Sequence, residues 1–232
     1  MWALRDVYAV SGTGDPYCPH GGNYTSSACF YNNLPQYATY AEFTNNYMWL
    51  NPDLVTQYGQ HVNHTIWSYS GNGCVYWVEE GISQGWYRAN ETVWYYATYN
   101  SVSGYSQYNA GATSYNGTNH AYRLEYEGVG SSGTGKYAIV RDGVYLAYFE
   151  GLGYGTCMSQ GGFELGGTAP DPNYHSDTYD LRSLAWLDTS YRYHYGWNGA
   201  LWIDYPCGMG QVPPYCFNGV YYSASHWADN KP

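Results

Sequence analysis

Between His120 and Phe149 the chain alternates residue by residue. Tyr122, Leu124 and Tyr126 fall on one parity, and Arg123, Glu125 and Glu127 on the other. That two-residue period belongs to a strand with one buried face. A Gly/Ser stretch, 128–135, follows, then the apolar run 136–141, the pair Asp142-Gly143 and a second run, 144–149. Asp-Gly between two apolar runs signals a tight hairpin, because its central positions need a positive φ. The whole stretch therefore reads as a three-stranded antiparallel meander. Similar short alternations recur at 64–69, 74–82, 92–100, 157–166, 184–188 and 201–205. No amphipathic helix pattern of useful length interrupts them. Many strands without helices imply two sheets packed face to face. The expected fold is all-β, a jelly-roll or concanavalin-like sandwich of two antiparallel sheets.

The material for its core is unusual. Leu, Ile, Val and Phe make up about 15% of the 232 residues, a fraction that ordinarily warns of disorder. Here 32 tyrosines and 10 tryptophans supply the apolar area instead, each ring burying roughly 150–250 Å². Tyr122, Tyr126, Tyr137 and Tyr145 have core-like spacing. Runs such as Tyr95-Tyr96 place rings on both faces of a strand, more than a core requires. One domain over 1–232 is expected: a loop-rich N-terminal lobe (1–60), a sandwich core (61–188) and a loop-rich C-terminal segment (189–232). With eight Lys plus Arg and a formal charge of −10, the chain has no basic surface for phosphates, which argues against a nucleic-acid partner. Its apolar runs are well short of the roughly 20 residues that span a bilayer, so no membrane span is expected.

Six cysteines are present: Cys18, Cys29, Cys74, Cys157, Cys207 and Cys216. No CxxC pair or zinc-finger spacing occurs, so disulfides are expected rather than a metal. The pairing read here is Cys18–Cys29, Cys74–Cys157 and Cys207–Cys216, the second joining two central strands. Sequons at Asn23, Asn63, Asn90 and Asn116 are compatible with secretion. The start, Met1 to Asp6, has neither the basic residues nor the apolar stretch of a signal peptide. It fits either a chain whose signal has been removed or a cytosolic protein, and the even cysteine count favours the first, hence a secreted, extracellular protein.

Few residues could carry a reaction. His61 and His64 are three apart, so they point to opposite faces of a strand and read as surface residues; the other five histidines are scattered, and no metal or cofactor is expected. No G-x-S-x-G elbow occurs. The carboxylates are more informative, because a charge inside an aromatic strand needs a partner. In 74–82, Val75, Trp77 and Glu79 share one face, and Cys74, Tyr76, Val78 and Glu80 the other. In 161–167, Glu164 faces away from Phe163 and Leu165, flanked by Gly162 and Gly166 on its own face. A carboxylate between glycines leaves open space beside a polar group, as a substrate groove requires. If Cys74 pairs with Cys157, the two strands are neighbours. Their glutamates then lie a comparable distance along them if the strands run parallel, and apart if antiparallel.

The segment 74–85, with 92–99, the 120–149 meander and Gly162-Phe-Glu-Leu165, resembles secreted β-sandwich proteins related to the glutamic peptidases, the eqolisin family. In that family a Q-x-G strand carries a catalytic glutamine and a later strand a catalytic glutamate, and the enzymes cut proteins at acid pH. The resemblance places Glu79, before Gly81, at the glutamine position and Glu164 at the glutamate position. It implies Trp77, Trp86, Trp94 and Tyr96 as substrate-binding aromatics. Glu79 replaces the family's glutamine; two glutamates could serve by sharing one proton, or the change could mark a fold without the activity. A second likeness, of Glu127-Gly-Val-Gly-Ser-Ser-Gly133 to a segment of small jelly-roll xylanases, is set aside because 128–135 reads as a hairpin turn.

Three functions follow as expectations. The first is a secreted, acid-active endopeptidase acting on polypeptide through a carboxylate pair. The second is a module that binds extracellular glycan on exposed aromatics, or a carboxylate-pair glycosidase. The third is a non-catalytic coat or filament subunit, for which self-association is expected.

Overall fold

The computed structural model describes residues 24–45, 48–49, 61–85, 91–113, 117–166, 175–176, 179–195, 201–203, 218–223 and 226–230. In chain order the strands are β1 (Tyr24–Gln36), β2 (Ala38–Thr44), β3 (Met48–Trp49), β4 (His61–Ser70), β5 (Tyr76–Gln84), β6 (Thr92–Asn100) and β7 (Gly104–Ala112). The meander follows as β8 (Asn119–Val129), β9 (Gly135–Arg141) and β10 (Val144–Leu152), then β11 (Thr156–Gly166). The remainder are β12 (His175–Ser176), β13 (Tyr179–Leu187), β14 (Tyr193–Tyr195), β15 (Leu201–Ile203), β16 (Asn218–Ser223) and β17 (His226–Asn230). Among the described residues the one helical element is the 3-10 turn Asn72–Cys74, and no helix is long and apolar enough to cross a membrane.

Two antiparallel sheets form a β-sandwich. One is ordered β15-β1-β11-β4-β5-β6-β7; the other runs β10-β9-β8-β2-β13-β17-β16, with β14 on β13. The meander closes as its sequence dictates: Asp142 (φ 50°) and Gly143 (φ 78°) both take positive φ, and Val144 pairs with Arg141. Between the sheets, Val62, Ile66, Val78 and Ile82 from one side meet Ala41, Phe43, Tyr122, Leu124, Tyr137 and Ile139 from the other. Phe43 and Tyr122 stack with centroids 3.8 Å apart. Tyrosines fill the volume that aliphatics usually take. Part of the interior is polar: Thr39 Oγ1 and Ser159 Oγ lie 2.7 Å apart, Ser159 also meets Gln36 at 3.1 Å, and Ser68 and Thr156 meet at 2.6 Å. Hydroxyls buried in such chains avoid the cost of an unpaired buried polar group.

The structure corrects several expectations. The loop-rich 1–60 segment supplies β1 and β2, one to each sheet, and short strands also lie within 189–232. His61 and His64 are buried rather than superficial; burial drives the His64 pKa down to about 3. Tyr145 is 48% exposed and faces out. Cys74 does bond Cys157, but Cys74 sits in the 3-10 turn before β5 rather than in a strand. The bond ties the β4–β5 turn to the start of β11. Cys18, Cys207 and Cys216 lie outside the described residues, and Cys29 falls on β1, where only the backbone is described.

Candidate active site

The site grows from the side of the seven-stranded sheet that faces away from the core. On β4, Val62 and Ile66 point into the sandwich, so the intervening Asn63, Thr65, Trp67 and Tyr69 point out. Directly paired residues of antiparallel strands share a face, and the register carries this outer face across the sheet. Asn63 lies between Glu164 and Ser83, Thr65 between Gly162 and Gly81, Trp67 between Gln160 and Glu79, and Tyr69 between Met158 and Trp77. On β6 the row of Thr65 continues to Tyr95, and that of Trp77 to Tyr99.

Glu79 and Glu164 therefore share one face. Their strands run in the same direction, but β4 lies between them, which corrects the adjacent-strand expectation. The two glutamates sit on a diagonal, about 10 Å across the sheet and about 13 Å along it at ordinary strand spacings. The row between them has almost no side chains: Gly162, Thr65, Gly81. Gly81 cannot be otherwise, because a Cβ there would lie 2.0 Å from the His64 carbonyl oxygen and 2.7 Å from Thr65 Cα. Thr65 turns its hydroxyl down, donating to the Glu80 carbonyl at 2.8 Å. The row is backbone and one threonine, with a glutamate diagonal to it on either side. It is not the open groove expected from the glycines: Gly162, Thr65, Gly81 and Tyr95 are all buried.

The two carboxyls differ in surroundings. Glu79 is 4% exposed. Burial, and next the charge of Glu164, hold its pKa well above the ordinary carboxylate value, while a hydrogen bond from the Trp67 side chain opposes the shift. Glu164 is half-buried, and one of its oxygens, Oε2, accepts a 2.8 Å hydrogen bond from Asn63 Nδ2. Both glutamates also act on Tyr69 and Tyr95, whose hydroxyls are raised by burial first and then by these charges. Beyond Glu79 an aromatic wall runs Tyr69, Trp77, Tyr99, with centroids 6.1 and 4.8 Å apart. Among the described residues no group of His, Cys, Asp and Glu could hold a metal.

Trp77 thus lies on the face of Glu79. Trp94 and Tyr96 do not. They pair with Ile82 and Glu80 on the core side, where Trp94 packs under the Arg141 guanidinium at 4.2 Å and Tyr96 stacks on Tyr108. Consecutive residues of a strand alternate faces, so no residue at an even position of β6 can reach the Glu79 side. Trp86 lies outside the described residues. The sequence does not mark Asn63, Thr65, Trp67 or Tyr95 as site residues. Asn63 had been read as a glycosylation sequon, yet it is 2% exposed and committed to Glu164. The missed signal was a strand whose second parity, Asn63-Thr65-Trp67-Tyr69, is polar and aromatic rather than plainly solvent-facing.

The fold is similar to solved glutamic peptidases. Scytalido-glutamic peptidase with a peptide-based transition-state analogue matches with a TM-score of 0.59 over 89% of this chain and 98% of that chain, at 8% identity. SCP-B, a member of the Eqolisin family of peptidases in complex with the tripeptide Ala-Ile-His, matches with 0.55 at the same coverage and identity. At 8% identity this is a likeness of fold. No protein-family model matches the chain, and no curated protein matches it by sequence.

Proposed function

We propose that the protein is an acid-active endopeptidase in which Glu164 activates water and protonated Glu79 stabilises the oxyanion. One observation carries this reading: two glutamates of one face lie diagonally across a row of glycine and threonine, and burial holds the pKa of Glu79 above the ordinary carboxylate value. A peptide carbonyl bound over the Gly162–Thr65–Gly81 row has Glu79 at one end and Glu164 at the other. Glu164 takes a proton from water as the water oxygen bonds to the carbonyl carbon. The carbonyl oxygen gains negative charge and accepts a hydrogen bond from the Glu79 carboxyl. Collapse breaks the C–N bond, and the proton held by Glu164 passes to the leaving amine. A neutral carboxylic acid in a dry site serves as an oxyanion donor without reorganising.

The similar fold of peptidases supports this reading, as does the wall of Tyr69, Trp77 and Tyr99 beside Glu79, which offers apolar contact to substrate side chains. Incubation with denatured protein at pH 2–5 tests it. Glu164→Gln should lower kcat/KM on the order of a thousandfold, the usual worth of a general base. Wild type cutting no faster than this variant would end the proposal.

A further inference from the structure

The outer face of the other sheet carries a second organised surface, unrelated to the carboxyl pair. Two rows cross its strands there. Tyr145, Val140, Arg123, Tyr40, Ala185 and Tyr195 form one; Tyr148, Ala138, Glu125, Ala38, Leu187 and Tyr193 form the other. Each spans six strands, about 24 Å at ordinary strand spacing. Tyr145 and Tyr148 stack at one end, centroids 6.0 Å apart with planes 14° from parallel, and Tyr193 and Tyr195 stack at the other, at 6.2 Å and 28°. All four are between 38% and 68% exposed.

The small residues between them point outward and are nonetheless buried: Ala38, Ala138 and Ala185 have no exposure and Val140 has 2%. An alanine on an outer sheet face is covered only if neighbouring side chains lie over it. Arg123, Glu125, Tyr40 and Leu187 stand among the alanines, and Tyr145 and Tyr193 reach inward along the sheet. Their hydroxyls meet the centre: Arg123 Nη1 donates to the Tyr193 hydroxyl at 3.1 Å, and the Tyr145 hydroxyl donates to Glu125 at 3.4 Å. Arg123 and Glu125 pair at 2.9 Å, cancelling each other's charge.

We infer that this face binds a neutral, extended polysaccharide. Aromatic faces attract the weakly positive C–H groups on the flat side of a sugar ring. Tyrosine adds a hydroxyl at the rim, and the Arg–Glu pair offers fixed donors and acceptors to sugar hydroxyls. An acidic glycan is disfavoured, since Arg123 is paired with Glu125, Lys136 is engaged over the Tyr148 ring at 4.4 Å and the chain carries a net charge of −10. Two tyrosine pairs separated by a polar centre match a ligand with repeating units better than a single compact molecule. The inference is independent of the peptidase reading.

Cellohexaose, chitohexaose and laminarihexaose, with polygalacturonate as the acidic control, can be titrated against the full chain while following tyrosine and tryptophan fluorescence. Saturable binding of at least one neutral hexasaccharide is expected, with no comparable binding of polygalacturonate. Tyr148→Ala and Tyr193→Ala should each weaken it tenfold or more, while Tyr148→Phe keeps the ring and most of the affinity. Circular dichroism identifies any variant that fails to fold. Glu164→Gln, on the opposite sheet, should bind as wild type does. No binding of any neutral hexasaccharide overturns the proposal. So does binding lost in Glu164→Gln but kept in the tyrosine variants, which places the sugar on the other face. Dimerisation in light scattering that Tyr148→Ala abolishes, without sugar binding, assigns the face to a second copy of the chain and equally overturns it.

Discussion

Glu79 is where the chemistry and the sequence diverge most usefully. The hydrogen-bond donor role proposed for it requires its proton, which burial and Glu164 help retain. Glutamine donates at any pH. Glu79→Gln should therefore keep activity within about tenfold at acid pH and extend its upper pH limit, while Glu79→Leu loses the donor and about 10²- to 10³-fold of kcat. Profiles of kcat/KM against pH for the three proteins check this; an upper limb unchanged in Glu79→Gln would remove the donor role. Both glutamates were legible in the sequence because strand parity fixes faces. Their partners were not. Asn63 and Trp67 sit on β4, and nothing local to 61–70 says that β4 lies between the strands of Glu79 and Glu164. That fact belongs to the sheet order. The same limit explains Trp94 and Tyr96, which were grouped with Glu79 by aromatic character although their parity sends them to the core.

At the level of elements, the meander was the most readable part, because β8, β9 and β10 are joined by short turns and each has a plain apolar face. β7 escaped notice: it is an edge strand, Gly-Tyr-Ser-Gln-Tyr-Asn-Ala-Gly-Ala, with no buried parity to mark it. β1 and β2 fall in the segment expected to be loop-rich, where the Asn32–Pro35 turn signal and few aliphatics hide the strands. β2 nevertheless buries Ala38, Ala41 and Phe43. The Cys74–Cys157 bond is the element-scale constraint with a measurable effect. It closes a separation of 83 residues, for which the chain-entropy relation gives about 4.5 kcal/mol. Replacing both cysteines by alanine should lower the unfolding free energy by up to about that amount, read from the denaturant midpoint at unchanged slope. A midpoint that does not move would show that β4 and β11 hold the turn without help.

Across the whole molecule, the buried and surface acids act in opposite pH ranges. Glu80 faces the core, 3.9 Å from Arg141, and neither oxygen accepts a hydrogen bond. Burial raises its pKa to about 8, against the pull of Arg141; Glu79 is raised as well. Both favour the protonated folded form, so their contributions are full below the ordinary value of 4.5 and are lost as pH rises above it, that of Glu80 through about 8. His64 works the other way. With a pKa lowered from 6.5 to about 3, its contribution is full above 6.5 and is lost as pH falls through about 3. Glu150, whose carboxylate accepts the Ser131 and Ser132 backbone N–H groups, and Asp188, beside His194, are lowered to about 2. Their contributions are lost below the ordinary acid values, as pH falls through about 2. Glu125 is raised by burial too, so three carboxyls gain and one histidine loses between pH 6.5 and 4.5, and below that only losses remain. The thermal midpoint should thus peak near pH 4.5, several degrees above its value at pH 8, where many proteins are most stable between about 5 and 8. A scan of thermal midpoints from pH 2 to 9 checks the position of the peak; Glu80→Gln should flatten its alkaline side.

The sheet order has a further consequence, in time rather than space. β11, which carries Glu164, is hydrogen-bonded on one side to β4 and on the other to β1, some 130 residues earlier in the chain. Local hairpins such as β8–β9–β10 can close early, but pairings this distant in sequence must first overcome the entropy of closing the loop between them. The two carboxyls are therefore brought together by one of the last events of folding. On the proposed reading, the topology that builds the site also delays its assembly until these distant pairings have closed.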